Sequence, residues 1–156
     1  MAIYLVQAFI ETLYSFASGG LHTAEFVVDH MLMRLGRWLR LAGHDVENPR
    51  SMSDGDLIAQ AGERRTLLTR DRSLAELCER AGVRCILIRS SHIDDQLREV
   101  LERGINLDLN PERCTICNGE LLDMGNRRWM CSRCGKIYWQ GSHWRGIEAR
   151  LRSLGS

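Results

Sequence analysis

The chain has 156 residues, the length of one domain or of one domain with a small appendage. Hydrophobic residues make up 44% and charged residues 26%, a balance that excludes a disordered or collagen-like chain, and no apolar run approaches the roughly 20 residues of a membrane-spanning helix. The net charge of +1 is unevenly distributed, because residues 1–110 carry 13 basic and 16 acidic residues whereas residues 111–156 carry 8 and 4. A basic carboxy-terminal part on a mildly acidic body indicates a nucleic-acid partner.

Residues 1–24 are predicted to form a helical extension and a linker. Apolar side chains recur at helical spacing, namely Leu5, Val6, Phe9, Ile10, Leu13 and Phe16, and Ser18–Gly20 ends the pattern. The segment lacks the basic start and continuous apolar stretch of a secretory signal, so we expect a cytoplasmic protein. Packing onto the body is the favoured interpretation, and a homodimer contact is the alternative.

Residues 25–110 alternate between short apolar runs and amphipathic stretches. Strands are predicted over residues 25–29, 45–47, 66–69 and 84–88, and helices over residues 31–42, 53–61, 73–81 and 94–103. Ser73 and Glu76 have the spacing of a capping box at the start of the third helix. This alternation predicts an α/β fold with a parallel sheet covered by helices on both faces.

Four cysteines give the strongest signal in the chain. They form two Cys-x-x-Cys pairs separated by thirteen residues, namely Cys114, Cys117, Cys131 and Cys134. Two such pairs supply four thiolates in the tetrahedral arrangement of a structural zinc site, and we therefore predict a zinc ribbon over residues 111–151. A disulfide framework or a redox dithiol is the alternative. Cys78 and Cys85 are expected to be small core residues.

A second candidate site consists of aspartates at strand ends and helix starts. The predicted catalytic residues are Asp29, Asp54, Asp56 and Asp71. Parallel strands end at one edge of a sheet, and convergent carboxylates favour Mg²⁺ or Mn²⁺, for which Asp29, Asp54 and Asp71 are the expected ligands. The alternative is that several acids only stabilise helix starts, since Asp56 and Asp94 follow serines at capping-box spacing.

Basic and aromatic side chains complete the expected RNA-binding set. Arg34, Arg37 and Arg40 recur every three residues directly after Asp29, where they could hold backbone phosphates. The remaining predicted RNA contacts are Arg70, Lys136, Trp139, His143 and Trp144. Aromatic rings interleaved with cations suit single-stranded or looped RNA. The alternatives are a solvated helix face for the arginines and a structural role for about half of the aromatic residues of the ribbon.

Three segments together resemble the Mut-seven carboxy-terminal RNase domain family, a branch of the PIN-like nucleases with a zinc ribbon. They are residues 26–40 (FVVDHMLMRLGRWLR), residues 67–71 (LLTRD), and residues 114–121 (CTICNGEL) with 131–144 (CSRCGKIYWQGSHW). The resemblance implies a PIN-like three-layer α/β/α sandwich over residues 25–110 and a metal-dependent ribonuclease. By motif, Asp29 matches the acid of the first strand, Asp71 the acid of the later strand, and Asp54 or Asp56 the acid of a helix start. The further acid that PIN nucleases usually carry on an intervening helix has no match.

Two functions from different classes follow from the sequence. The favoured one is an endoribonuclease in which Mg²⁺ or Mn²⁺ activates water for attack on an RNA phosphodiester. The alternative is a non-catalytic RNA-binding or ribosome-binding module, in which the same edge of the sheet holds no metal ion. A phospho-acceptor receiver domain is a third, weaker interpretation, since the other acids have the wrong spacing.

Overall fold

The computed structural model describes residues 23–155, so the predicted amino-terminal helix and its homodimer contact lie outside the described residues. The first part of the chain contains β1 (Glu25–Val28), α1 (Met33–Leu41), β2 (Asp45–Glu47), α2 (Asp54–Ala61), β3 (Thr66–Thr69), α3 (Arg72–Ala81), β4 (Cys85–Leu87) and α4 (Ile93–Glu102). A short 3-10 helix, His30–Leu32, joins β1 to α1. The second part contains β5 (Leu121–Gly125), β6 (Arg128–Cys131), β7 (Ile137–Trp139) and α5 (Ser142–Leu154).

The first four strands form one parallel sheet in the order β2-β1-β3-β4. Its two central strands, β1 and β3, are buried runs of apolar side chains, as expected of strands that are covered on both faces. The predicted α/β fold with a parallel sheet is therefore confirmed. Asp29 and Asp71 follow the two central strands at their carboxyl ends, where parallel α/β sheets bind ligands.

Helices cover both faces of the sheet and create two apolar clusters. The larger one joins Val28 and Leu68 of the sheet to side chains of α1, α4 and α5, including Leu35 and Leu97. The smaller one joins Val27 and Leu67 to α2 and α3. Because successive residues of a strand point to opposite faces, neighbours in β1 and β3 divide between the two clusters.

Of the three serines at capping-box spacing, Ser53 caps a helix and the other two do not. Ser53 caps α2 by accepting a hydrogen bond from the amide of Asp56. In α3 the cap is Asp71, whose carboxylate accepts from the amides of Ser73 and Leu74, so the helix begins two residues earlier than a Ser73 cap implies. His92 precedes α4 and makes no side-chain capping bond within the described part, so the box of Ser91 and Asp94, which was the alternative interpretation of Asp94, is not formed.

The second part of the chain forms a three-stranded antiparallel sheet, β5-β6-β7, and helix α5 returns to the body. Leu151 and Leu154 of α5 pack into the larger apolar cluster, and Arg150 pairs with Asp94 of α4 at 2.7 Å. Helix α5 was not predicted, and it belongs to the core of the body as much as to the ribbon. Among the described residues, no helix is long and apolar enough to cross a membrane.

His44 is buried between the start of β1 and the segment that follows α4. Its Nδ1 accepts a hydrogen bond from the amide of Ala24 at 2.9 Å, and its Nε2 lies 2.6 Å from the carbonyl oxygen of Asn106, to which it donates. Only the neutral imidazole can accept at Nδ1. Burial lowers the pKa of His44, which favours the same neutral form.

We predict that this histidine makes folding stability depend on pH. The unfolded chain binds a proton at His44 below about pH 6.5 and the folded chain does not, so the free energy of unfolding falls as the pH drops. When the pH drops from 7.5 to 5.5, the free energy of unfolding of His44→Gln should fall by roughly 1 kcal/mol less than that of the parent. Urea denaturation at both pH values measures the difference, and equal losses would contradict the prediction.

Candidate metal centre, acidic rim and basic surface

The four predicted zinc ligands lie together. Among residues 23–155, they are the only group of three or more potential ligands whose donor atoms all lie within 4.8 Å of one another. The sulfurs of Cys114 and Cys134 are 3.6 Å apart, and those of Cys117 and Cys131 are 3.4 Å apart. Sulfurs about 2.3 Å from one tetrahedral zinc ion lie roughly 3.8 Å from each other. The four cysteines are free thiols at almost this spacing, so they can hold zinc.

The chemistry of the sulfurs also fits a cation. Burial opposes ionisation of Cys114, but hydrogen bonds from the Tyr138 hydroxyl and from backbone amides outweigh it and lower the pKa to about 6. Burial and the neighbouring sulfurs raise the pKa of Cys117 to about 12. Four thiolates at this spacing therefore need a bound cation to ionise together. Four sulfur ligands leave no open position, which is typical of a structural zinc site.

Each cysteine turn contains one residue in the left-handed backbone conformation, but only in the second turn is that residue a glycine. In the second turn Gly135 has φ 75°, whereas in the first turn the left-handed residue is Asn118, with φ 64°. Gly119 is needed for a different reason, because a side chain at this position would collide with the cysteine sulfurs. A Cβ added there would lie 2.8 Å from the sulfur of Cys131 and 3.2 Å from that of Cys117.

Asn118 also attaches the first cysteine turn to the parallel sheet. Its side-chain oxygen accepts from the amide of Val46 at 2.9 Å, and its side-chain nitrogen donates to Asp45 at 2.7 Å. Arg65 pairs with the same carboxylate at 2.9 Å. Burial raises the pKa of Asp45, but the hydrogen bonds from Arg65 and Asn118 outweigh burial and lower it. These contacts cross the predicted domain boundary at residue 110, which stays a prediction.

Arg40 requires a correction, because it cannot be a surface contact to RNA. It is 2% exposed, and its guanidinium donates to the carbonyl oxygens of Val46 and Thr115 and to the side chain of Asn48. Each step of three residues turns a side chain by about 60° around a helix, so two steps from Arg34 bring Arg40 onto the face toward β2. Burial lowers the pKa of Arg40, and the nearby sulfurs of Cys114 and Cys117 oppose that effect.

Asp29 is the most constrained of the predicted catalytic acids. Its side chain is buried at the carboxyl end of β1, where Oδ1 accepts from the amide of Met31 at 2.9 Å. Oδ2 accepts from the hydroxyl of Thr69 and from the amide of Arg70. The hydroxyl of Thr69 in turn accepts from the amide of Asp71. Thr69 therefore links the two acids that follow the central strands.

The other predicted acids lie at helix starts and do not form a tight group with Asp29. Asp71 uses Oδ1 to cap α3, Asp54 is the half-buried first residue of α2, and Asp56 is exposed. Three aspartates whose oxygens all lie within 4.8 Å of one another are not found in the described part of the chain. The expected convergence of three or more carboxylates is thus not observed at that spacing.

The predicted RNA contacts other than Arg40 lie at or near the surface. Arg34 and Arg37 are exposed on α1, and the exposed ribbon contacts are Lys136, Trp139 and His143. Arg70 is half-buried, and its Nε is buried without a hydrogen-bond partner among the described residues. Trp144 stacks on Trp129, with 5.7 Å between ring centroids and 16° between planes.

Sequence reasoning missed three residues that build the site. Tyr138 holds the first cysteine turn through its hydroxyl, which lies 3.1 Å from the sulfur of Cys114 and from the amide of Thr115. Asn118 joins the turn to the sheet, and Arg150 packs over the ring of Trp38 at 5.2 Å. Only α5 carried a signal that could have been found, since Ile147, Leu151 and Leu154 recur at helical spacing.

Comparisons with known proteins bear on residues 24–151. A family model described as the Mut7-C RNAse domain matches residues 24–128 and 123–151. The match includes the parallel sheet, Asp29 and Asp71, and all four clustered cysteines. A search of curated proteins found no match.

We predict that Gly119→Ala weakens zinc binding at least about tenfold, because the new Cβ would force two sulfurs apart. Gly146→Ala is the matched control, since a Cβ there meets nothing within 4 Å. Competition with a chromophoric chelator measures both affinities. The prediction fails if the two variants hold zinc equally well.

We also predict that Arg40→Met lowers the free energy of unfolding by about 3 kcal/mol, because it leaves buried carbonyl oxygens without a donor. The control Arg34→Met replaces an exposed arginine of the same helix and should change stability by about 0.5 kcal/mol at most. Chemical denaturation of the zinc-loaded proteins checks both values. Equal stabilities of the two variants would show that the buried guanidinium contributes little.

Proposed function

Because the chain belongs to the Mut7-C RNAse domain family, we propose that it is a metal-dependent ribonuclease that hydrolyses RNA phosphodiesters at the carboxyl edge of the parallel sheet. The observation that carries the proposal is the buried carboxylate of Asp29, which follows a central strand beside Asp71. Burial of a carboxylate is costly unless hydrogen bonds, an opposite charge or a metal ion compensate it.

The hydrogen bonds of Asp29 are compatible with binding a metal ion. A carboxylate has about four acceptor positions, and three are used by Met31, Thr69 and Arg70. Mg²⁺ in phosphoryl-transfer sites is usually bound by only one or two carboxylates, together with water and substrate phosphate. Asp29 and Asp71 fit this mode, with Asp54 as a further ligand, and a tight group of three carboxylates is not needed.

The chain's own residues supply the other requirements of the reaction. When bound, Mg²⁺ or Mn²⁺ would activate water and neutralise charge on the phosphodiester. Arg34 and Arg37, exposed on the helix that starts close to Asp29, would hold the phosphates of the strand. The zinc ribbon would add RNA contacts through Lys136 and Trp139. We place the activity in the cytoplasm, since a zinc–thiolate centre needs reduced cysteines.

A second candidate function is a non-catalytic RNA-binding module. The observation that favours it is that both acids have structural tasks, since Asp71 caps α3 and Asp29 anchors the turns after β1 and β3. In that case RNA binding would be tight and sensitive to salt, and neutralising the acids would change it little.

Cleavage of a panel of labelled RNAs, with and without Mn²⁺ or Mg²⁺, separates the two functions. We predict that the parent cleaves only with the metal ion and that Asp71→Asn lowers the rate at least about a hundredfold, because a neutral amide binds the ion poorly. Asp108→Asn, at an exposed position after α4, is the matched control and should keep the parent rate.

Asp29→Asn needs a separate check of folding, because its new amide nitrogen would face the amide of Arg70 or of Met31. Circular dichroism and zinc content provide that check. Equal cleavage by the Asp71→Asn and parent proteins would contradict the role of Asp71. Equal cleavage by a folded Asp29→Asn/Asp71→Asn double variant would assign the activity to a contaminant. Metal-independent RNA binding without any cleavage would favour the binding module.

A further inference from the structure

A cleft of about 390 Å³ lies between α1, β7 and the beginning of α5. Its walls are mainly apolar and include the rings of Trp38 and Trp139. Arg37, Lys136 and His143 also line it, and none of the described lining residues is acidic. A concave apolar site of this size that carries a few polar groups is typical of small-ligand binding, and its charge fits an anion.

Trp139 differs from the other tryptophan and tyrosine rings of this cleft, because the described residues show no stacking, cation–π or hydrogen-bond contact for it. Trp129 and Trp144 stack on each other, and the hydroxyl of Tyr138 is bonded to the first cysteine turn. Trp139 is 66% exposed although it belongs to strand β7. Gly141 lies against its edge, where an added Cβ would come within 3.2 Å of Cδ1. The indole therefore lies close to Gly141 on one edge and is otherwise accessible.

We propose that this cleft binds one unpaired nucleotide of a single-stranded RNA, with the base stacked on Trp139 and the adjoining phosphates near Arg37 and Lys136. The inference rests on the proposed function for its choice of ligand. Bases stack on exposed aromatic rings without regard to sequence, while cations beside the ring bind the backbone. The apolar walls suit a base, and the two cations, one on α1 and one directly before β7, suit its phosphates.

The cleft lies well away from the acidic edge of the sheet. Helix α1 is about 13 Å long, and its first residue lies four positions after Asp29. Trp38 and Leu41, near its other end, line the cleft. Arg34 is one turn nearer to Asp29 than Arg37 is, so the two arginines form a path between the sites. Stacked nucleotides rise about 3.4 Å each, so roughly four unpaired nucleotides would span the distance. The substrate class is therefore RNA with a single-stranded segment beside the cleaved bond.

Fluorescence anisotropy without added divalent ions tests the binding separately from cleavage. The probes are a labelled blunt-ended RNA hairpin and the same hairpin with six unpaired nucleotides at either end. We expect the parent to bind the extended hairpins at least about tenfold more tightly than the blunt one. Trp139→Ala should remove at least about tenfold of that affinity, whereas Trp139→Phe should stay within about threefold.

The matched control is Met124→Ala, which truncates an apolar side chain that is 49% exposed on β5. It should bind the extended hairpins as the parent does. Lys136→Gln should make the slope of log affinity against log salt concentration shallower by about one, the value for one lost phosphate contact. Zinc content and near-ultraviolet circular dichroism of Trp139→Ala establish that the variant is folded.

The proposal is overturned if folded Trp139→Ala binds the extended hairpins as tightly as the parent, or if the blunt hairpin binds equally well. Either result leaves the ribonuclease proposal intact as long as the parent still cleaves RNA with Mn²⁺. Conversely, Trp139-dependent binding by a parent that cleaves nothing supports the cleft and contradicts the ribonuclease. The two failures are therefore distinguishable.

Discussion

The buried guanidinium of Arg40 is the interaction on which the arrangement of the two sheets depends. A charged side chain that is 2% exposed needs partners, and Arg40 finds them in the backbone of β2 and of the first cysteine turn. The sulfurs of Cys114 and Cys117 also favour the charged form of Arg40, and four thiolates around a zinc ion would keep a net negative charge. The partners come from positions far apart in the sequence, because Thr115 is 75 residues from Arg40. The fold of the body therefore determines where the cysteine turn sits.

The first cysteine turn is shaped by the body as well as by its own sequence. Asn118 adopts the left-handed conformation in place of glycine, and its side chain meets both hydrogen-bonding requirements of the neighbouring strand. Glycine could adopt the same backbone but could not bond to Val46 or Asp45. Gly119 then fills the next position, since only a residue without a Cβ fits between the sulfurs and Arg133. Of these two adjacent residues, Asn118 thus attaches the turn to the sheet, and Gly119 leaves room for the sulfurs.

The parts of the structure that the sequence predicts are those with local signals. The buried runs of β1 and β3, the cysteine spacing and the Ser53 cap all depend on neighbouring residues. Arg40 could not be assigned correctly in this way, because its role depends on residues far away in the chain. Asp71 was predicted as a metal ligand and Ser73 as the cap of the third helix, and only the structure shows that Asp71 caps α3. Helix α5 was not predicted, because the cysteine spacing led us to assign its residues to the zinc ribbon.

The acids and the aromatic cleft lie near different ends of α1, because they need different surroundings. A carboxylate such as Asp29 can be held in place by the amides at the end of a parallel strand, where the sheet supplies donors and excludes water. Stacking of a base requires the opposite environment, namely an exposed ring with room beside it. The small ribbon provides such a ring, because it has too few residues to bury Trp139. Arg40 and Asn118 fix the ribbon to the body, so the separation between the two sites is set by rigid contacts. A strand bound at both sites would therefore be cut at a fixed distance from the base that the cleft holds.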